Sequence, residues 1–210
     1  MCWNEHVSLN TFLFSSFVLL LIIYNNSFTK YKIQELNNTN IYLFIASFAF
    51  MQLIEFFIWK NINNKFYNNM FSIIATLLLL LQPIASVMIL SNKQLRNKLL
   101  FLYLLLAIPY SIYKFSTKHI HSVISKREHL RWKFFEINPI IWIIWLFFFV
   151  FSFIYEKRWN GIIFAIIALI ITIINYSNDH TVGSMWCWVV NPIMIYYVTY
   201  LLIYLPFLKK

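Results

Sequence analysis

The chain has 210 residues, of which 61% are hydrophobic, 20% aromatic and only 11% charged, with a formal net charge of +10. A water-soluble domain of this size carries about 25% charged residues, so the composition leaves too little polar surface for a globule in water. The positive balance does not indicate a nucleic-acid partner: the 17 Lys and Arg residues lie almost entirely in short connections between apolar runs, and no basic domain stands outside them.

A helix that spans a bilayer needs about twenty predominantly apolar residues. The first such run covers residues 8–25. Its leader, Met1 to His6, lacks the basic segment of a signal peptide, and "YNNSFTKYK" after it has no small-residue cleavage pattern. It is therefore read as a span. The second, residues 40–59, contains Gln52 and Glu55 amid aromatic and aliphatic residues. The third, 69–90, carries Gln82 and Pro83, and the fourth, 97–115, carries Pro109. The fifth is 137–155, with Pro139 in its first turn, and the sixth is 160–176. The seventh, 184–206, contains Cys187, Asn191 and Pro192. Within the spans, Pro83, Pro109 and Pro192 are expected to kink or loosen the helix.

Helix is the expected state because a lone segment in hydrocarbon must satisfy its own backbone groups. The runs lack the alternation of barrel strands. With two glycines in the whole chain, close Gly-x-x-x-Gly packing is unavailable, and bulky side chains must form the helix contacts. Between spans four and five, Ile120, Val123, Ile124 and Leu130 recur at near-helical spacing against Lys126, Arg127, Arg131 and Lys133. This pattern predicts an amphipathic helix lying on the lipid headgroups. The expected fold is an all-α membrane bundle of seven transmembrane helices in one domain over residues 1–210, with that short interfacial helix.

An odd number of spans places the termini on opposite faces. The face holding the N-terminus, face A, then collects all five histidines, Cys2, Glu5 and Asp179, and Cys187 starts span seven from that side. His and Cys suit zinc or copper, which makes His119, His121 and His180 candidate ligands, although no HExxH or CxxC pattern accompanies them. Cys2 and Cys187 both adjoin tryptophan at the face-A rim and are expected to be neighbours, as two thiols or as a disulfide. The loop charges do not orient the chain, since the 17 basic residues divide almost evenly between the faces. The expected partners are the bilayer and anionic headgroups at the basic loops; no motif calls for a cofactor.

Met1-Cys2-Trp3, the Gln52 and Glu55 pair, Gln82-Pro83 and a Cys-Trp element at Cys187-Trp188 together resemble an uncharacterised family of small multi-spanning membrane proteins of bacteria and large DNA viruses. The resemblance covers Cys2, Trp3, Ser8, Gln52, Glu55, Gln82 and Pro83 in the first ninety residues and thins beyond them. Asn4 stands where the family has Ser, Leu78 where a His is expected, and the Glu and Gln of span two are exchanged in order. The resemblance implies a fold and supplies no activity. Rhodopsin-like chemistry is excluded, because span seven has no Lys, and the zinc hydrolases of ceramidase type need histidines that span lacks.

Glu55 poses the functional question. A carboxylate inside hydrocarbon costs at least about 2.5–3.5 kcal/mol, so it should face the interior with partners. Gln52 shares its helix face, and Gln82 and Asn191 are the other candidates for a buried polar site. Such residues serve either as interhelical hydrogen bonds or as a polar pathway. Three functions compete: a small transporter or channel responding through Glu55, an intramembrane enzyme using face-A His and Cys, and a non-catalytic structural protein such as a viral envelope component.

Overall fold

Asparagine starts most of the spanning helices. In the computed structural model, which describes residues 4–208, α1 (Glu5–Phe28) is capped by Asn4, whose side chain accepts from the Val7 amide at 2.9 Å. Asn38 caps α2 (Thr39–Lys60), Asn64 caps α3 (Lys65–Val87), Asn92 caps α4 (Lys93–Thr117) and Asn138 caps α5 (Pro139–Tyr155). Each satisfies amides that the first helical turn leaves without a partner. The abundance of Asn thus has a structural use that composition alone does not reveal. α6 (Trp159–Tyr176) starts without a side-chain cap.

Six helical stretches are long and apolar enough to cross a membrane: α1 to α4, α6, and the run from Val182 to Leu208. The remaining one, α5, has 17 residues and sits at the short end of the spanning range, about 17–25 residues. The fold is all-α, as expected. Its centre is α2, with 56% of its most apolar window buried against 17% in α4 and α6, so the last two present most of their surface outward. α2 packs on α1, α3 and the final span, and α3 carries α5 and α4 on its other side. Large rings replace small-residue contacts in the core: Phe44 lies 5.0 Å from Phe149, which lies 4.8 Å from Trp145 and 5.4 Å from Trp186.

The seventh span is not continuous. It divides into α7 (Val182–Val189) and α8 (Pro192–Thr199), followed by a π-helical turn over Tyr200–Tyr204 and a last turn, α9 (Leu205–Leu208). Pro192 has no amide to offer the carbonyl of Trp188, and the Asn191 amide takes that carbonyl instead at 2.9 Å, tightening the chain at the break. Pro83 acts differently. α3 runs on through it, and the Leu79 carbonyl that loses its helical donor accepts the Trp145 indole N–H of α5 at 2.9 Å. The next carbonyl, Leu80, accepts the Tyr103 hydroxyl of α4 at 2.8 Å. A helix defect is thereby turned into ties to two neighbouring helices.

The segment between spans four and five corrects the sequence reading. It is a two-stranded antiparallel hairpin rather than an interfacial helix: β1 (Ser122–Ile124) pairs with β2 (Leu130–Trp132), with Val123 opposite Arg131. Three residues of 3-10 helix, Lys133–Phe135, follow. Ile120, Leu130, Trp132 and Phe134 are buried in the bundle, whereas Ile124 at the end of β1 is exposed. Asn68 of α3 supplies the anchor: its Oδ1 accepts the Ser122 amide and its Nδ2 donates to the Ser122 carbonyl, both at 2.9 Å. The Ser184 hydroxyl donates to the Leu130 carbonyl at 2.6 Å, and buried Lys114 donates to the Phe134 carbonyl. These bonds give the hairpin a fixed seat that helical spacing on one face could not supply.

Gly183 makes that seat possible. A Cβ there would stand 2.8 Å from a Phe135 ring carbon and 3.0 Å from a Trp132 ring carbon. Gly183→Ala is expected to destabilise the protein by about 1–3 kcal/mol through forced displacement of packed rings. Thermal unfolding in detergent measures it; an unchanged midpoint would mean the hairpin is loosely held.

The connections fall into two groups. At one end the hairpin meets α3, α7 and the turn at Asp179, where Arg127 Nε lies 3.1 Å from the carboxylate. At the other, Arg158 donates to the Glu35 carbonyl, the Asn160 amide donates to Glu35 Oε2 at 3.3 Å, and the Ser91 amide and hydroxyl donate to Glu156 at 2.7 and 2.9 Å. The hairpin end corresponds to face A of the sequence reading.

Candidate functional site

Glu55 and Gln52 sit three residues apart on the side of α2 that faces the other helices, and both are fully buried. The Gln52 Nε2 amide donates to Glu55 Oε2 at 2.9 Å, as their spacing on one helix face allows. α2 packs here against α7, whose Cys187 is also buried. Ser8 of α1 is also fully buried, near the same end of the bundle. Lys60 does not reach in; it is exposed and lies over its own neighbour's ring, 5.8 Å from the Phe56 centroid.

Asn191 belongs to a second layer. It accepts the Ser15 hydroxyl of α1 and donates from Nδ2 to the Cys187 carbonyl at 2.8 Å, bridging α1 to the break in span seven. Gln82 lies deeper. With 1.5 Å per residue, Glu55, Asn191 and Gln82 stand about 8, 14 and 26 Å from the face-A ends of their helices. Gln82 is therefore no partner of Glu55: the start of α3 at Lys65, earlier than the apolar run, carries it further down the bundle. It is fully buried, and among the described residues neither its amide nitrogen nor its amide oxygen finds a hydrogen-bond partner. Gln52 Oε1 and the hydroxyls of Ser8 and Ser152 are in the same condition. Each such group costs about 1–3 kcal/mol relative to a bonded one, which calls for an explanation beyond packing.

The structure thus lays out the four expected residues as a ladder at successive depths, with one hydrogen bond joining two of them. No family model matches the chain, and no curated protein or solved structure does either. Any reading of the ladder has to come from its chemistry.

The histidines do not converge. His119 and His121 line one cavity at the hairpin end, and His180 lines another between α5, α6 and α7. Among the described residues no three His, Cys, Asp or Glu side chains come together as a metal site. Cys2 lies outside the described residues, so its expected pairing with Cys187 has no structural account. His129, absent from the sequence candidates, is the buried histidine, with its ring 5.4 Å from Tyr176. Its imidazole pKa is lowered, first by burial and then by positive charge that includes Arg127, with Asp179 opposing.

A depressed histidine pKa contributes stability that is present above the unfolded value, about 6.5, and is lost as pH falls through the folded value. The wild-type unfolding midpoint should therefore drop from pH 7 to pH 5 more steeply than that of His129→Phe, which keeps a ring against Tyr176. Parallel pH profiles for the two proteins would show that His129 takes up its proton equally readily in the folded and unfolded states.

Sequence reasoning also missed Asn68, Lys114, Tyr103 and Trp145. Asn68 carried a signal, a carboxamide at the mouth of an apolar run. The others reveal themselves only through partners distant in the chain.

Proposed function

We propose that the protein is a small proton- or cation-handling transporter of a membrane, in which Glu55 takes up the ion and the break in span seven is the moving part. Its seven crossings would place the termini on opposite faces. One observation carries the reading: a fully buried carboxylate sits on α2, which packs against α7 just before the discontinuity at Asn191. Intramembrane carboxylates mark ion paths, and transporters bind their ions where a spanning helix is interrupted and backbone groups are released.

The unused hydrogen-bonding groups of Gln52, Gln82, Ser8 and Ser152 support the same reading, because polar groups at several depths suit a path better than a single joint between helices. A small cavity of about 190 Å³ beside α3 is lined by other residues, and one of about 110 Å³ lies against Asn191 and Tyr197 at the break itself. The enzyme reading has less behind it, since the histidines are not gathered with Cys187.

The test is flux. Purified protein in liposomes carrying a pH-sensitive dye, under an imposed potassium diffusion potential, should acidify or alkalinise the lumen faster than protein-free liposomes. Rates equal to the protein-free control for protons and for sodium would remove the proposal.

A further inference from the structure

The structure assigns a binding site for one anionic phospholipid to the cleft between α4 and α5, with the phosphate held at the hairpin end by Lys114, Lys118 and Lys133 and one acyl chain running down the cleft. The two helices meet at Tyr103 and Phe148, whose rings lie 5.2 Å apart, and separate toward the hairpin. The space so opened is apolar, lined among others by Leu106, Ala107, Phe115, Ile141 and Ile144, and has a volume of about 190 Å³. A second cavity of about 490 Å³ continues it at the hairpin end and shares Tyr110, Lys114, Phe134, Ile137 and Ile141 with it.

The chemistry changes along this path as it does along a lipid. The upper cavity is lined by Lys114, Lys118, Lys133, His119, His121 and Glu136. Glu136 is shared between Arg131 Nε at 2.6 Å and Lys133 Nζ at 3.4 Å, so it offsets Lys133 in part and leaves Lys114 and Lys118 without a paired carboxylate among the described residues. Lys114 spends one donor on the Phe134 carbonyl and stands over the Tyr110 ring, which leaves two N–H groups for an anion. The lengths also agree. Tyr103 to Lys114 spans about 16 Å of helix, close to half the hydrocarbon core, about 15 Å. One acyl chain in one leaflet fills that depth. A soluble anion would leave the apolar part empty, and a neutral lipid would leave Lys114 and Lys118 without a counter-charge.

The site is tested on the whole protein, delipidated in a non-ionic detergent and titrated with palmitoyl-oleoyl phosphatidylglycerol or its phosphatidylcholine counterpart, with bound lipid read by native mass spectrometry. One phosphatidylglycerol should be retained in preference to phosphatidylcholine, and excess glycerol phosphate should fail to displace it. The pair Lys118→Gln, exposed, with Lys133→Gln, half-buried, should weaken retention by about tenfold or more, as expected when two lysines lose their attraction to an anionic headgroup. Ala107→Phe, which fills the cleft from the half-buried side of α4, should abolish retention even where the protein remains folded. Equal retention of the two lipids, displacement by glycerol phosphate, or wild-type retention by both sets of variants would overturn the assignment.

Discussion

Glu55→Leu is expected to destabilise the protein by about 1–3 kcal/mol, while Glu55→Gln leaves stability within about 0.5 kcal/mol. The difference follows from the company Glu55 keeps. Leucine fits the volume but leaves the Gln52 Nε2 donor without its acceptor in a fully buried position. Hydrogen bonds between membrane helices average only about 0.6 kcal/mol, so the larger figure depends on the cost of the orphaned amide rather than on the bond itself. Glutamine retains an acceptor oxygen at the same place. Thermal or denaturant unfolding in detergent separates the two substitutions. Equal midpoints for leucine and glutamine would mean that the Gln52–Glu55 contact contributes nothing to the fold.

The second large effect concerns Pro83. Trp145→Phe should cost about 1–3 kcal/mol, because it strands the Leu79 carbonyl, whose helical donor Pro83 has already removed. In a Pro83→Ala background the amide of residue 83 is restored and can donate to that same carbonyl. The cost of Trp145→Phe should then fall, giving a coupling of about 0.5–3 kcal/mol between the two positions. Strictly additive losses would show that the indole N–H is not the substitute donor. Tyr103→Phe, acting on the adjacent Leu80 carbonyl, provides the comparison.

These residues also show what the sequence could and could not reveal. The spans were legible because their length and apolarity answer to a single constraint, the thickness of hydrocarbon. Interior placement of Glu55 and its bond to Gln52 followed from energy and helix spacing, both local quantities. The hairpin did not follow. Ile120, Val123, Ile124 and Leu130 satisfy a rough helical period and are also good strand formers, and short apolar runs of this kind cannot be separated by periodicity. The choice was made by groups far away: the carboxamide of Asn68, the hydroxyl of Ser184 and the clearance at Gly183. Pro83 was read as a kink or loosening of span three; α3 runs on through it, and the Leu79 and Leu80 carbonyls accept from Trp145 and Tyr103. The position of Gln82 along its helix shifted for a simpler reason. Helix α3 begins on polar residues, capped by Asn64, and an apolar ruler starts counting too late.

The most direct measurement is the flux of Glu55→Gln in the same dye-loaded liposomes as the wild type, after its unfolding midpoint has been matched to wild type. The transporter account predicts that the variant folds normally and that its ion-driven pH change falls to the rate of protein-free liposomes. A Glu55→Gln protein that conducts at the wild-type rate would contradict it, because the carboxylate would then be only a hydrogen-bond acceptor between helices.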